Sequence, residues 1–186
     1  MVPATQLKVG NIVLVKGELW RVTALNHVTP GKGRGMMFVT LKNIKTGAST
    51  EERFRSDERV EIAMVETRQM EALYHTGTAW SFMDSETYEM VELDDELLGD
   101  GAVWLKENLK VKVQYHEGNP VGVEIPLFIE MKIVDTEPPL KGATVSGSPK
   151  NATLENGEVV KVPQFLRAGE MVRIDTRDNS FVERVS

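Results

Sequence analysis

The sequence predicts an all-β protein built from small barrels. Short apolar runs and runs of alternating apolar and polar residues recur along the 186 residues, and Gly, Pro, Asn or Asp residues separate them. Such runs are typical of strands joined by turns. Helical periodicity is almost absent. Because edge strands expose unpaired backbone groups, a chain with more than about ten short strands is expected to close its sheets into barrels.

The first third of the chain predicts hairpins. Residues 12–15 and 19–25 are mainly apolar and flank a turn at 16–18, and residues 37–42 alternate between apolar and polar side chains. Between the last two runs lies a loop rich in glycine and basic residues. It reads Thr29-Pro30-Gly31-Lys32-Gly33-Arg34-Gly35. We therefore predict two strands joined by a protruding basic loop.

Alternation continues through the rest of the chain. Predicted strands lie around 60–64, 70–74, 80–82, 109–115, 121–125, 129–133, 159–162, 171–174 and 181–185. A short helix is predicted only within 97–109. Breaks near 63–66 and near Pro126 divide the chain into three domains, at 1–64, 65–126 and 127–186. A single larger β-sandwich is the alternative.

Composition excludes several classes of protein. The chain has no cysteine, so disulfides and thiol chemistry are absent. No apolar run reaches the roughly 18 residues that span a bilayer, and no membrane role is expected. The amino-terminal residues lack the basic start and apolar core of a signal peptide, which predicts a cytoplasmic protein.

Charge is distributed unevenly along the chain. The formal net charge is −6, yet residues 1–60 carry ten basic and five acidic side chains. Residues 61–127 carry four basic and fourteen acidic side chains, and 128–186 carry eight and nine. RNA would suit the first segment. The acidic middle would meet a basic protein or simply form a solvated surface.

The loop at 29–35 is the main candidate for a functional site. Glycines relax backbone limits and remove side-chain bulk, so that Lys32 and Arg34 can project toward another surface. The spacing differs from that of a phosphate-binding loop, and a strand rather than a helix follows. An ordinary flexible basic hairpin is the alternative.

Other candidate sites are weak. The three histidines lie far apart in sequence, at His27, His75 and His116, and predict no metal site. Asp84 and Glu86 could form a carboxylate pair for acid–base chemistry, but solvated loop acids are the more common case. We therefore expect a protein that is not an enzyme.

Ordered motifs occur in all three segments. In the first, Pro30-Gly31-Lys32-Gly33 precedes the run at 39–47, and the second contains Phe82-Met83-Asp84-Ser85-Glu86-Thr87-Tyr88-Glu89. The third contains Ile133-Val134-Asp135-Thr136-Glu137-Pro138, followed by motifs at 152–154, 159–163 and 175–177. Together these stretches resemble the bacterial elongation factor P family over nearly the whole chain.

The resemblance implies a fold and a function. It implies an SH3-like (KOW-like) barrel followed by two OB-fold barrels, arranged in an L shape that mimics tRNA. Family members are monomeric translation factors that bind the ribosome between the peptidyl and exit tRNA sites. Their partners are peptidyl-tRNA, ribosomal RNA and ribosomal proteins, and they relieve stalling at consecutive prolines.

The resemblance also implies roles for residues. Lys32 is expected to contact the CCA end of peptidyl-tRNA, supported by its loop neighbours Pro30, Gly31, Gly33, Arg34 and Gly35. No cofactor is expected, but a lysine-modifying enzyme could extend Lys32 by β-lysylation or another modification. Candidate exit-site or RNA contacts are Gly142, Thr144, Phe181 and Arg184.

This chain departs from the family pattern at three places, one of which is the tip, where residues 33–37 are more basic and richer in Met than in many relatives. Ala143 stands where the family commonly has Asp in a Gly-Asp-Thr loop, and Phe181 replaces a common tyrosine. Two other functions remain open. One is the elongation-factor-P-like paralogue, which usually lacks a tip lysine. The other is a general OB-fold protein that binds single-stranded nucleic acid.

Overall fold

The structure is a computed structural model that describes residues 1–139 and 147–186. Within these ranges the chain forms sixteen strands, one short α-helix and two 3-10 helices. The strands form three separate sheets, and every pair of neighbouring strands is antiparallel. The all-β prediction is confirmed.

The first sheet has six strands in the order β1-β6-β2-β3-β4-β5. They are β1 (Val2–Pro3), β2 (Ile12–Val15), β3 (Glu18–Val28), β4 (Met36–Asn43), β5 (Ser49–Arg55) and β6 (Arg59–Ile62). A 3-10 helix, Ala4–Gln6, follows β1. Alternate side chains of these strands face one core, which includes Val13, Val22, Val39 and Leu41.

The second sheet has five strands in the order β11-β10-β7-β8-β9. They are β7 (Glu66–His75), β8 (Ala79–Asp84), β9 (Met90–Asp94), β10 (Lys110–His116) and β11 (Asn119–Glu124). The register shifts between Ala72 and Tyr74, so the strand bends there as a small barrel requires. Phe82, Leu93 and Val113 are buried on its inner side.

The helical segment differs from its predicted position. Helix α1 spans Asp95–Leu98, and a 3-10 helix spans Gly99–Trp104. Gly99 ends α1 because its φ of 57° lies in the left-handed region. The backbone N–H of Asn108 donates to the carbonyl of Ala72, at 2.8 Å. Pairing with β7 therefore takes the later residues of the predicted helix out of helical conformation.

The third sheet also has five strands, in the order β14-β13-β12-β15-β16. They are β12 (Phe128–Thr136), β13 (Lys150–Leu154), β14 (Val159–Val162), β15 (Met171–Asp175) and β16 (Ser180–Val185). The two edge strands, β14 and β16, contact each other. This contact closes the sheet toward a barrel around Met131, Ile133, Leu154 and Ile174, all buried.

The chain divides into two compact units. One contains residues 1–99 and 107–124, and the other contains 100–106 and 125–186. In the first unit, Gly122 of β11 packs against Ile44, and a Cβ atom at Gly122 would overlap the Ile44 side chain. The glycine therefore permits this close approach. The predicted domain limits at 64/65 and 126/127 stay predictions.

Lys150 is a buried lysine at the start of β13. Its exposed fraction is 2%. Nζ donates to the carbonyl oxygens of Glu137, at 2.7 Å, and Leu166, at 2.6 Å. These two bonds join β13 to segments that precede and follow it in sequence, and one of them satisfies the carbonyl of Leu166, a fully buried residue.

Replacing Lys150 with methionine tests this role. Lys150→Met keeps the length of the side chain but leaves the buried Leu166 carbonyl unpaired, so the free energy of unfolding should fall by about 1–3 kcal/mol. Urea denaturation measures this free energy of unfolding. The control Lys161→Met changes an exposed lysine on β14 and should alter stability by less than about 0.5 kcal/mol. Equal losses in the two variants would contradict the role.

Candidate functional site

Lys32 lies at the exposed tip of the loop that joins β3 to β4. The two strands pair as far as Val28 and Met36, so residues 29–35 form the connection between them. On β3 the last buried residue is Val22, and five residues beyond it, Ala24 to Val28, pair with β4. The hairpin therefore extends past the core on the β3 side and projects the loop.

Within residues 1–139 and 147–186, the basic side chains of the loop have no acidic partners. Among the described residues, neither Lys32 nor Arg34 takes part in an ion pair. Both residues are exposed. Their charges are consequently available to an anionic ligand from outside the chain.

The three loop glycines have different environments. None has a φ in the left-handed region. A Cβ at Gly31 would meet nothing within 4 Å, and one at Gly33 would only touch the Pro30 ring at 3.5 Å. A Cβ at Gly35 would lie 2.5 Å from Oγ of Ser56. Only Gly35 is therefore required by packing, and the predicted need for backbone freedom is not seen at these positions.

A contact between distant residues holds the base of the loop. Nε2 of His27, on β3, lies 3.1 Å from Oγ of Ser56, which follows β5. The N–H of Ser56 also donates to the carbonyl of Gly35, at 3.0 Å. We call these three residues, His27, Gly35 and Ser56, the loop clamp. Sequence reasoning missed it, because His27 and Ser56 lie 29 positions apart.

A basic and aromatic surface lies beside the loop. On the outer side of the first sheet, the Arg53 guanidinium lies 5.0 Å from the ring centroid of Phe38. Arg55 pairs with Met36 two rows farther along the ladder, nearer the loop. Neither arginine forms an ion pair among the described residues. Arg53 and Arg55 could not be predicted as neighbours of the loop from the sequence, because their alignment depends on pairing between β4 and β5.

The other predicted contact residues lie in the second compact unit or outside the described ranges. Phe181, half-buried on β16, lines an open groove of about 560 Å³ together with Lys161 and Asp178. Nη1 of Arg184 lies 3.3 Å from Oε1 of Glu170. Gly142, Ala143 and Thr144 lie outside the residues that the structure describes.

The candidate acid–base residue Asp84 has a structural role. It is 4% exposed, and its Oδ1 accepts the backbone N–H groups of Glu86, at 2.8 Å, and Thr87, at 3.0 Å. The bonds from Thr87 and Glu86 lower the pKa of Asp84. They also hold the turn in which Tyr88, 70% exposed, has a φ of 60°. A carboxylate held in this way is a weak proton acceptor.

Among the described residues, no group of three or more His, Asp or Glu side chains is placed to hold a metal ion. None of the helices in residues 1–139 and 147–186 has the length and apolar character needed to cross a membrane.

Models of one protein family match nearly the whole chain. Residues 3–60 match "Elongation factor P (EF-P) KOW-like domain", 65–123 match "Elongation factor P (EF-P) OB domain", and 129–184 match "Elongation factor P, C-terminal". With the three antiparallel sheets, these matches support the predicted KOW-like and OB barrels.

Curated relatives carry the same family name. Proteins named elongation factor P from Coprothermobacter proteolyticus and Syntrophomonas wolfei are 42% and 43% identical to this chain, over 100% of both sequences in each comparison. Among solved structures, the protein titled eukaryotic translation initiation factor 5A from Methanococcus jannaschii is similar, with a TM-score of 0.52 at 25% identity. That likeness covers 67% of this chain and 90% of the other.

Asp175, within the carboxyl-terminal motif, is held by its neighbour. Oδ1 lies 2.9 Å from Nε of Arg177, and Oδ2 lies 2.5 Å from Nη2. These side-chain bonds, with the backbone N–H of Arg177, lower the pKa of Asp175 to about 2. The same guanidinium lies 5.9 Å from the ring centroid of Phe128. Asp175 thus anchors the turn between β15 and β16.

The pKa of Asp175 predicts a pH-dependent contribution to stability. Because the folded pKa lies below the ordinary value of 3.8, the contribution is full above about pH 4 and is lost as the pH falls toward 2. Asp175→Asn should therefore unfold at a lower urea concentration at pH 6, and the difference from wild type should shrink toward pH 2. The control Asp135→Asn, at an exposed position of β12, should show no such trend. A constant difference for Asp175→Asn would contradict the assignment.

Proposed function

We propose a ribosomal function for this chain, which belongs to the elongation factor P family of translation factors. It binds the ribosome between the peptidyl and exit tRNA sites and relieves stalling at consecutive prolines. The observation that carries this proposal is the exposed Lys32, without an acidic partner among the described residues, at the tip of the β3–β4 hairpin. Its target is the CCA end of peptidyl-tRNA.

The chemistry of the tip fits an RNA target. The lysine ammonium is a compact cation with three donors, which can meet phosphate oxygens and ribose hydroxyls. Arg34 stands two positions away and is also unpaired in the described part of the chain. Two positive charges at an exposed tip favour contact with a polyanion.

Orientation explains how a bound tip could accelerate the reaction. Proline has a fixed φ and a constrained ring nitrogen, so consecutive prolines hold the reacting groups in poor geometry. Contacts that hold the CCA end in place restore alignment, and orientation alone can contribute several kcal/mol. The ribosome catalyses bond formation, and the factor itself is not an enzyme.

Other surfaces would support binding. The exposed Arg53 and Arg55 beside the loop extend the basic area toward RNA. Phe181 offers a partly exposed ring, and Arg184 a cation, as further RNA contacts in the carboxyl-terminal unit. The acidic second segment would face basic ribosomal proteins. The protein acts as a monomer in the cytoplasm, where ribosomes work.

Lys32 is also the proposed site of modification. The amine is exposed, and the open space around Gly31 and Gly33 leaves room for a modifying enzyme. β-Lysylation or a comparable extension would lengthen the reach of the cation. No cofactor is required.

Mass measurement tests the modification. Intact protein purified from its native host should be heavier than its sequence mass after removal of the initiator methionine is accounted for. Peptide fragmentation should place the added mass on Lys32 and leave the exposed Lys45 unmodified. A mass equal to that of the bare chain would contradict the modification but would leave the ribosomal role to the next experiment.

The rate of Pro-Pro-Pro synthesis on purified bacterial ribosomes tests the function. The protein should accelerate synthesis. Lys32→Ala should lower the accelerated rate by a factor of about ten or more, since a charged contact contributes about 1.5–3 kcal/mol. Lys32→Arg should retain part of it. Lys45→Ala is the matched control, because Lys45 is an exposed lysine whose nearest acid is Glu96, at 3.6 Å.

Three outcomes would contradict the proposal. No acceleration with host-purified protein would exclude the function. Equal acceleration by wild type and Lys32→Ala would exclude the role of the tip. Tight binding to free single-stranded oligonucleotides without acceleration would instead favour the general OB-fold function.

A further inference from the structure

The function proposed above was argued from the tip alone and leaves the loop clamp without an assigned role. We propose that His27 and Ser56 are positioning residues that fix the loop so that Lys32 is presented in one orientation. The inference rests on the proposed function of Lys32. It adds two residues that make no contact with the tip amine and that act through the backbone at Gly35.

The clamp connects three separate parts of the first sheet. His27 pairs with Met37 in the ladder, so its ring continues the inner side of β3, where Leu25 pairs with Val39. From there Nε2 reaches Oγ of Ser56 at 3.1 Å. Ser56 is itself placed by the turn after β5, where Glu58 accepts the N–H of Arg55 at 3.0 Å.

The clamp closes over the carboxyl-terminal end of the loop. The N–H of Ser56 donates to the carbonyl of Gly35, at 3.0 Å. The His27 and Ser56 side chains fill the space where a Cβ of Gly35 would lie, at 2.9 Å from Nε2 and 2.5 Å from Oγ. Gly35 is thus held by its carbonyl and enclosed by both side chains, one residue before β4 begins.

This arrangement restrains the chain that carries Lys32. Within the loop, Gly31 has open space around it and Gly33 touches only a proline ring, so packing there does little to limit motion. Restraint must come from the ends. Without the clamp, bound protein would present Lys32 correctly for only part of the time, and the fraction of productive complexes would fall.

Local hydrogen exchange tests the clamp directly. In His27→Ala and Gly35→Ala, the amide of Ser56 should exchange about threefold to tenfold faster, because one neutral hydrogen bond is lost or displaced. His27→Gln, whose amide can reach the same hydroxyl, should restore protection. Gly33→Ala is the matched glycine control for this measurement, and Ser56 should exchange in it as in wild type.

Kinetics test the positioning role. In Pro-Pro-Pro synthesis, His27→Ala and Ser56→Ala should lower the maximal rate about threefold or more and leave the half-saturating concentration unchanged. His27→Gln should recover the rate. The control His75→Ala removes another paired histidine and should leave the rate unchanged. His75 lies on β7, and its Nε2 is 2.9 Å from Oδ2 of Asp95.

The outcomes separate this inference from the proposed function. Unchanged Ser56 exchange in both His27→Ala and Gly35→Ala would overturn the clamp, whatever the rates. Faster exchange with an unchanged maximal rate, while Lys32→Ala still loses activity, would overturn positioning alone. Retained activity in Lys32→Ala would instead overturn the proposed function, and the exchange measurement would still decide whether the clamp exists.

Discussion

The pairing of β3 with β4 determines where the candidate site lies. The two strands stay in register from Leu25 and Val39 to Val28 and Met36, although β3 contributes no fully buried side chain in this stretch. Strand β3 is therefore held in this stretch mainly by its main-chain hydrogen bonds to β4, whose Met37 and Val39 are buried in the core. Since both ends of the loop are attached to this ladder, the position of Lys32 follows from strand pairing, and its orientation is left to the contacts at the base of the loop.

The motifs that identify the family are largely structural. Oδ1 of Asn43 accepts the N–H groups of Lys45 and Thr46, both at 2.9 Å. Asp84 and Asp175 accept backbone N–H groups in the same way, each at the end of a strand. Short polar side chains do this well because they reach backbone groups two or three residues ahead. These residues specify the turns between strands, whereas the proposed chemistry depends on Lys32.

The local pattern of apolar and polar residues was enough to predict most strands. It could not predict contacts between residues that are distant in sequence. Strand β5 was missed because, among residues 49–55, Phe54 is the only large apolar side chain. Lys150 gave no sign of burial, since its acceptors at Glu137 and Leu166 lie 13 and 16 positions away. Position 32 could be predicted as a loop tip because glycines and flanking apolar runs are local. The loop clamp could not, because it needs the register of three strands.

Neither the backbone conformation nor the packing of the fold requires glycine at positions 31 and 33. Neither has a left-handed backbone, and an added Cβ would meet no obstacle closer than 3.5 Å. Replacing a glycine by alanine at such a position generally stabilises a protein by about 0.4–1 kcal/mol, because the unfolded chain loses freedom. With glycine at both positions, the free energy of unfolding is therefore lower than alanine would give. On the function proposed above, the explanation is external: an RNA end held close to the tip amine would approach the backbone on both sides of Lys32 and leave no room for side chains beside it.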